Sequence, residues 1–241
     1  MSARISHLST RNGEQDFRGQ TGQHEVAPEV SSSVAIPRFS LISGNRYRQV
    51  KRFFDIGIVI CSIPVVLPVV LLVAAVIKIE NPRAPVFFVQ HRTGRGGIRF
   101  RMFKFRTMMV NADEQKDQFA DQNSLAWPDF KIVNDPRITR VGGVLRKTSL
   151  DELPQLLNVF LGDMSLVGPR PTSFDAKTYD LWQSARLEVA PGLTGLWQIA
   201  GRGQLEFQER VRLDITYIKH RSLMLDLKIL FLTIPAALKG A

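Results

Sequence analysis

Cysteine is almost absent: Cys61 is the only one in 241 residues. A single thiol excludes an internal disulfide framework and fits a reducing compartment. Histidine is scarce too, and His7, His24, His91 and His220 lie too far apart to give a zinc-binding spacing. Acidic residues are in the minority, 22 Asp and Glu against 32 Lys and Arg. The resulting net charge of +10, with a pI near 10.2, asks for an anionic partner. Nucleic acid, an acidic membrane surface and a phosphorylated substrate all qualify. The first forty-odd residues have few large apolar side chains and lack the apolar stretch of a secretory signal. Such a composition cannot bury enough surface to offset chain entropy, so residues 1–45 are expected to be a disordered tail.

What the chain does have is one long uncharged run, "IGIVICSIPVVLPVVLLVAAVI", from Ile56 to Ile77. Its 22 residues are enough for a helix that crosses a bilayer. Two features favour a different path. Pro64 and Pro68 fall mid-run, where each removes a backbone donor. Both flanks are basic, with Arg46, Arg48, Lys51 and Arg52 before the run and Lys78 and Arg83 after it. Because positive charge favours the cytoplasmic side, both ends are expected there. A re-entrant helix over residues 46–80, broken near Pro68, fits at least as well as a spanning one, and both readings stay open here. Cys61 then packs within the run or faces lipid.

A basic hairpin follows in "PVFFVQHRTGRGGIRFRMFKFRTMM". Phe87 to Gln90 reads as a strand, Gly94 to Gly97 as a turn, and Ile98 to Met108 as the returning strand. The alternation slips at Met102 and Phe103, which predicts a bulge. Arg99, Arg101, Lys104 and Arg106 either guard a sheet edge or form a phosphate-binding face. Cations interleaved with aromatics also suit single-stranded nucleic acid, but no RRM, KH or helix-turn-helix signature accompanies them. Residues 109–134 are polar and read as a helix followed by a loop.

Residues 148–171, "TSLDELPQLLNVFLGDMSLVGPRP", hold the most chemistry. Ser149 to Glu152 fits the capping-box pattern, in which one acid completes a helix start. That accounts for one carboxylate and leaves its neighbour over. A carboxylate in a first helical turn is kept ionised by the helix dipole, and cations stand close by in sequence. It can act as a nucleophile toward phosphorus, while the adjacent acid holds a divalent cation. In "GPRP", two prolines stiffen the presentation of Arg170 to a diphosphate.

Taken in order, "KRFFD", the hairpin, "DPRITRVGGVLRKTSLDELPQLLNVFLGDMSLVGPRP" and "APGLTGLWQIAGR" resemble the bacterial sugar transferases, the monotopic phosphoglycosyl transferases. The likeness runs from about Lys51 to Lys239. It implies an α+β, membrane-associated fold with a re-entrant N-terminal helix, a small basic β-hairpin and a helical catalytic core over residues 81–241. It also implies transfer of sugar 1-phosphate from a UDP-sugar to a polyprenyl phosphate, with release of UMP, on the cytoplasmic face of the bacterial inner membrane. By the same resemblance Asp151 is the nucleophile and Glu152 its dyad partner, with Mg2+ required at this pair. Lys104, Arg106, Arg146 and Arg170 are then substrate-binding cations. Membrane lipid is an expected partner and nucleic acid is not. The transferred sugar and homo-oligomer formation stay open. Two positions depart from the family pattern: Leu67-Pro68 replaces a Ser-Pro break, and Gly143 stands where a basic residue is common.

The last stretch, from Leu205 to Gly240, mixes charged and apolar faces and turns strongly apolar from Leu223. It reads as helices lying at the membrane interface, or as a core helix pair. Trp182 and Trp197 suit interface anchors or core positions equally. The rival to catalysis is a membrane-anchored scaffold of a polysaccharide assembly complex, in which the acidic pair is only a helix cap.

Overall fold

The uncharged run folds as one helix, α1 (Gly44–Glu80), in a computed structural model that describes residues 44–115, 117–123, 132–201 and 205–238. The tail expected over residues 1–45 lies outside these residues except for its last two, which begin α1. Pro64 and Pro68 sit inside the helix, and no interruption appears near Pro68. Side-chain donors and small local adjustments re-satisfy the backbone that proline frees in such helices. Here the Ser62 hydroxyl donates to the Val59 carbonyl at 2.8 Å, one residue short of the carbonyl that Pro64 frees.

Polar anchors fix the first part of α1. Tyr47 Oη and Lys51 Nζ donate to Asp226 at 2.8 and 2.9 Å, and Ser165 donates to Asp55 at 2.6 Å. The far end is held by apolar packing, with Val73 and Ile77 buried against Phe105 and Leu145. Between these anchors Ile60, Ile63, Val65 and Leu67 are exposed. So is Cys61. A continuous exposed apolar surface of this kind needs a partner other than water.

The hairpin pairs β1 (Phe87–Thr93) with β2 (Arg99–Phe105), antiparallel and residue for residue from Phe87↔Phe105 to Thr93↔Arg99. The expected bulge at Met102 and Phe103 does not form. Both faces of the hairpin are covered, with Phe100 and Met102 buried on one and Phe105 on the other, so apolar residues need not alternate. Gly96 and Gly97 turn the chain at positive φ. Over residues 109–123 the expected helix is replaced by turns and a short 3-10 segment, Asp117–Gln122, among the described residues.

Next, α2 (Arg140–Thr148) starts on Thr139, whose hydroxyl accepts from the Gly142 amide at 2.9 Å. Gly142 is required by contact, because a Cβ there would lie 2.0 Å from the Thr107 carbonyl oxygen. Ser149 ends α2 in the left-handed conformation, and Leu150–Glu152 form a single 3-10 turn before α3 (Gln155–Leu161). The capping-box reading is therefore overturned: Ser149 makes no side-chain cap bond, and Pro154 opens α3. Proline suits that place because a first-turn amide has no helical acceptor.

Asn158 on α3 is wholly buried and closes the free edge of β2. It accepts from the Phe103 amide at 3.0 Å and donates to the Arg101 carbonyl at 2.7 Å. Asn158→Ala leaves both backbone groups without partners and is expected to cost about 2–3 kcal/mol. A thermal melt should drop by several degrees; an unchanged melting temperature would show that this edge is not held from α3.

The remaining elements are β3 (Ser165–Val167), α4 (Leu181–Ser184), β4 (Gly192–Thr194), α5 (Leu196–Ala200), α6 (Phe207–His220) and α7 (Leu223–Leu238). β3 pairs in parallel with β4. The backbones then cross so closely that a Cβ on Gly192 would meet the Gly168 nitrogen at 2.1 Å. This small sheet ends at "GPRP" and so places Arg170. Both C-terminal helices pack inward: Val211 and Tyr217 of α6, with Leu225 and Ile229 of α7, are buried. α7 also exposes Met224, Phe231 and Ile234. Trp197 belongs to the core, whereas Trp182 is 42% exposed.

Candidate active site

The 3-10 turn between α2 and α3 sets its two carboxylates in different surroundings. Glu152 accepts from Lys104 Nζ at 2.9 Å and is clamped by Arg170 in a forked pair, Nη1 reaching Oε2 at 3.1 Å and Nη2 closing on Oε1. Burial alone would raise its pKa, but Arg170 and Lys104 outweigh it and hold the carboxyl well below the usual range. The Glu152 charge in turn raises Arg170. Burial pulls Lys104 down, against the opposing pull of Glu152.

Asp151 is 8% exposed, and its carboxylate takes no hydrogen bond among the described residues. Burial pushes its pKa up; Lys104 opposes that shift and the Glu152 charge adds to it. One acid is thus locked between two cations while its neighbour keeps open oxygens. Arg146 reaches the same region: its Nε donates to Thr107 at 2.9 Å, and burial lowers its pKa against the opposing charges of Asp151 and Asp135.

Lys104, Arg146, Asp151, Glu152 and Arg170 are therefore brought together, as the sequence predicts. Arg106 is not among them. Its Nε donates to the Pro85 carbonyl, its guanidinium lies over Phe88, and it lines a separate open cleft with Ile77, Ala84, Met108 and Thr139. Pro64 and Pro68 lie in α1, away from these groups in sequence and in the exposed stretch. Arg99 serves as a latch, donating to the Ser173 carbonyl at 2.7 Å.

Three residues absent from the sequence reading support the site. Arg92 on β1 senses both Arg170 and Glu152, and burial with help from Arg170 lowers it to about 10. Cross-strand partners share a face, so the register alone puts Arg92, opposite Phe100, on the Lys104 side of the hairpin. Arg186 donates to the Arg170 carbonyl at 2.8 Å and pairs with Asp214 at 2.6 Å. It also lines, with Thr93, Thr172 and Tyr179, a shallow surface pocket against Arg170. Nothing local in the sequence signals a pairing between residues 186 and 214.

Asp214 is pushed from an ordinary 3.8 up to about 6, by burial that outweighs Arg186 and Arg210. Because folding raises this pKa, the folded state holds the proton more tightly than the unfolded chain. That contribution is complete below about pH 4 and is lost as pH rises to about 6. Denaturation midpoints of the wild type should accordingly fall relative to Asp214→Asn across this window. A difference that stays flat from pH 4 to 7 would contradict the shift.

The donor set can be tested against magnesium. Among the described residues no cluster of three or more His, Cys, Asp or Glu could hold a metal alone. Magnesium, however, takes one or two carboxylates with substrate phosphates completing its shell. Asp151 offers open oxygens. A carboxylate has about four acceptor sites, and Glu152 has used three of them on Lys104 and Arg170. The residues therefore fit a magnesium ion held chiefly by Asp151 and by substrate, with at most a single-site contact to Glu152.

One long exposed apolar helix, compatible with membrane association, joins a mixed α+β body that carries a cation-framed acidic dyad. The chain belongs to the bacterial sugar transferase family, whose model matches residues 46–240, and it is thereby a transferase. It is 44% identical over 191 residues to the exopolysaccharide production protein ExoY of Sinorhizobium fredii, covering 77% of this chain and 84% of that protein. The galactosyl transferase CpsE of Streptococcus agalactiae is 44% identical over 197 residues, covering 79% of this chain and 42% of that protein. The undecaprenyl-phosphate galactose phosphotransferase of Salmonella typhimurium is 42% identical over 198 residues, covering 80% and 41%. The chain thus spans most of ExoY but only about two-fifths of the two longer relatives.

Proposed function

We propose that the protein moves sugar 1-phosphate from a UDP-sugar to undecaprenyl phosphate, releasing UMP, as a membrane step of exopolysaccharide or related glycan synthesis. The observation that carries this reading is the contrast within the dyad: Asp151 has open oxygens, while Glu152 is fixed by Lys104 and Arg170. Asp151 attacks the sugar-bearing phosphorus, forming an aspartyl-phosphosugar as the bond to the UMP oxygen breaks. A phosphate oxygen of the lipid then attacks the same phosphorus, and the Asp151 carboxylate leaves unchanged. Splitting the transfer in two lets each displacement use a positioned nucleophile. Arg170, Lys104 and Arg146 hold and neutralise the phosphates through preformed electrostatics. Magnesium held by Asp151 and substrate phosphates would supply further charge neutralisation.

Placement of the anchor supports the same reading. Tyr47, Lys51 and Asp55 at one end of α1, and Val73 and Ile77 at the other, contact the same folded body. A crossing helix would carry one of these sets to the far side of the bilayer. Their common side supports a helix that enters one leaflet and returns, bending at the prolines without losing helical continuity. The exposed apolar residues of α7 would lie at the same interface. UDP-sugars and both basic flanks of the run then share the cytoplasmic face of the inner membrane.

The test is UMP release by protein in nanodiscs given magnesium, undecaprenyl phosphate and a panel of UDP-galactose, UDP-glucose and UDP-N-acetylhexosamines. Release over many turnovers with one donor, dependent on the lipid, is expected. No release with any donor would leave the protein as a membrane-anchored scaffold.

A further inference from the structure

The charges around the dyad do not balance. Arg92, Lys104 and Arg170 interact with two carboxylates, Asp151 and Glu152. Lys104 and Arg170 are paired with Glu152, whereas Arg92 has no carboxylate in hydrogen-bond contact among the described residues. One of its terminal nitrogens donates to Gln90 Oε1 on the same face of β1. Its Nε is buried and has no hydrogen-bond partner among the described residues. Buried guanidinium donors are ordinarily satisfied, and an orphan at a charged site calls for an explanation.

Arg92 is also the sequence neighbour of a residue that lines the pocket against Arg170. Its neighbour Thr93 donates its amide to the Thr172 carbonyl at 2.9 Å, which ties the end of β1 to the loop carrying Arg170. Thr93 and Arg170 line the same shallow pocket. Lys104 stands on the same face of the hairpin, two cross-strand pairs beyond Gln90↔Met102 at Phe88↔Lys104 counted along β2. Arg92 therefore lies along the same wall as the two cations that hold Glu152. A planar fork with an unused donor suits a phosphate oxygen better than a point charge does.

We infer that Arg92 is a further substrate-binding residue, whose guanidinium donates to the diphosphate of the nucleotide-sugar donor on the side opposite Glu152. The assignment rests on the donor reading above. It adds a third arginine to the site, one that no motif in the acidic or "GPRP" segments supplies.

The experiment uses the full chain in nanodiscs and inorganic pyrophosphate as the probe, with uridine as a control, read by isothermal titration. Arg92→Gln should weaken pyrophosphate binding by about 10- to 100-fold, the range for a lost hydrogen bond to a charged group. Uridine binding should be unchanged. Arg92→Lys should fall between wild type and Arg92→Gln, because it keeps the charge and loses the fork. It also carries the test if Arg92→Gln fails to fold. Equal pyrophosphate binding by wild type and either folded variant would overturn the role of Arg92 and leave the donor reading intact. Failure of the wild type to bind pyrophosphate would overturn the donor reading itself, and the Arg92 assignment with it.

Discussion

Asp151→Asn is expected to abolish sugar-phosphate transfer, lowering turnover by a factor on the order of 10⁴ or more. The amide keeps the shape of the side chain but cannot form the phosphoanhydride. The fold should tolerate it, because the Asp151 carboxylate takes no hydrogen bond among the described residues. Loss of a buried charge that burial already disfavours should leave the melting temperature level or slightly higher. Activity and stability should thus separate at this position. A variant that retains activity would remove Asp151 from the chemistry; one that unfolds would make it a structural residue.

Glu152→Gln should behave differently, harming both. The substitution removes the charge that pairs Lys104 and Arg170, at a site where the side chains are 12%, 17% and 31% exposed respectively. Removing one member of a mostly buried pair costs about 3 kcal/mol, chiefly from the cations left behind. Turnover should fall on the order of 10²- to 10³-fold, because the two cations lose the group that fixes them. Lys104→Met combined with Glu152→Gln should recover part of the lost stability, since one orphan cation is gone. Additive losses in the double variant would show that Lys104 and Glu152 do not act as a pair.

Much of this site was legible because it is local. Asp151 and Glu152 are adjacent, and the cations of "FKFRTM", "LRKTS" and "GPRP" announce themselves by motif. The role of Ser149 was misread because a capping-box pattern cannot say whether a serine opens one helix or closes another. The conformation decided it, with Ser149 left-handed at the end of α2 and Pro154 taking the helix start. Arg106 shares its motif with Lys104 yet bonds to Pro85, because the strand ends at Phe105. The bulge failed for a similar reason, since apolar residues on both faces of a covered hairpin resemble a slipped alternation. Contacts distant in sequence were out of reach: the parallel pairing of β3 with β4 and the bond from Arg186 to the Arg170 carbonyl depend on tertiary packing. The long apolar run was plain, but composition could not place its two ends. That placement depends on Tyr47, Lys51 and Asp55 meeting polar partners from positions 165 and 226.

The most direct test of the mechanism is to trap the intermediate. Protein in nanodiscs would be given a UDP-sugar labelled with radiophosphorus in the β-phosphate, together with magnesium and no lipid acceptor, then quenched and digested. The mechanism predicts label on the peptide containing Asp151, none in Asp151→Asn, and its discharge when undecaprenyl phosphate is added before the quench. UMP released only when lipid is present, with no labelled peptide at any time, would contradict a covalent path through Asp151 and point to direct displacement by the lipid phosphate.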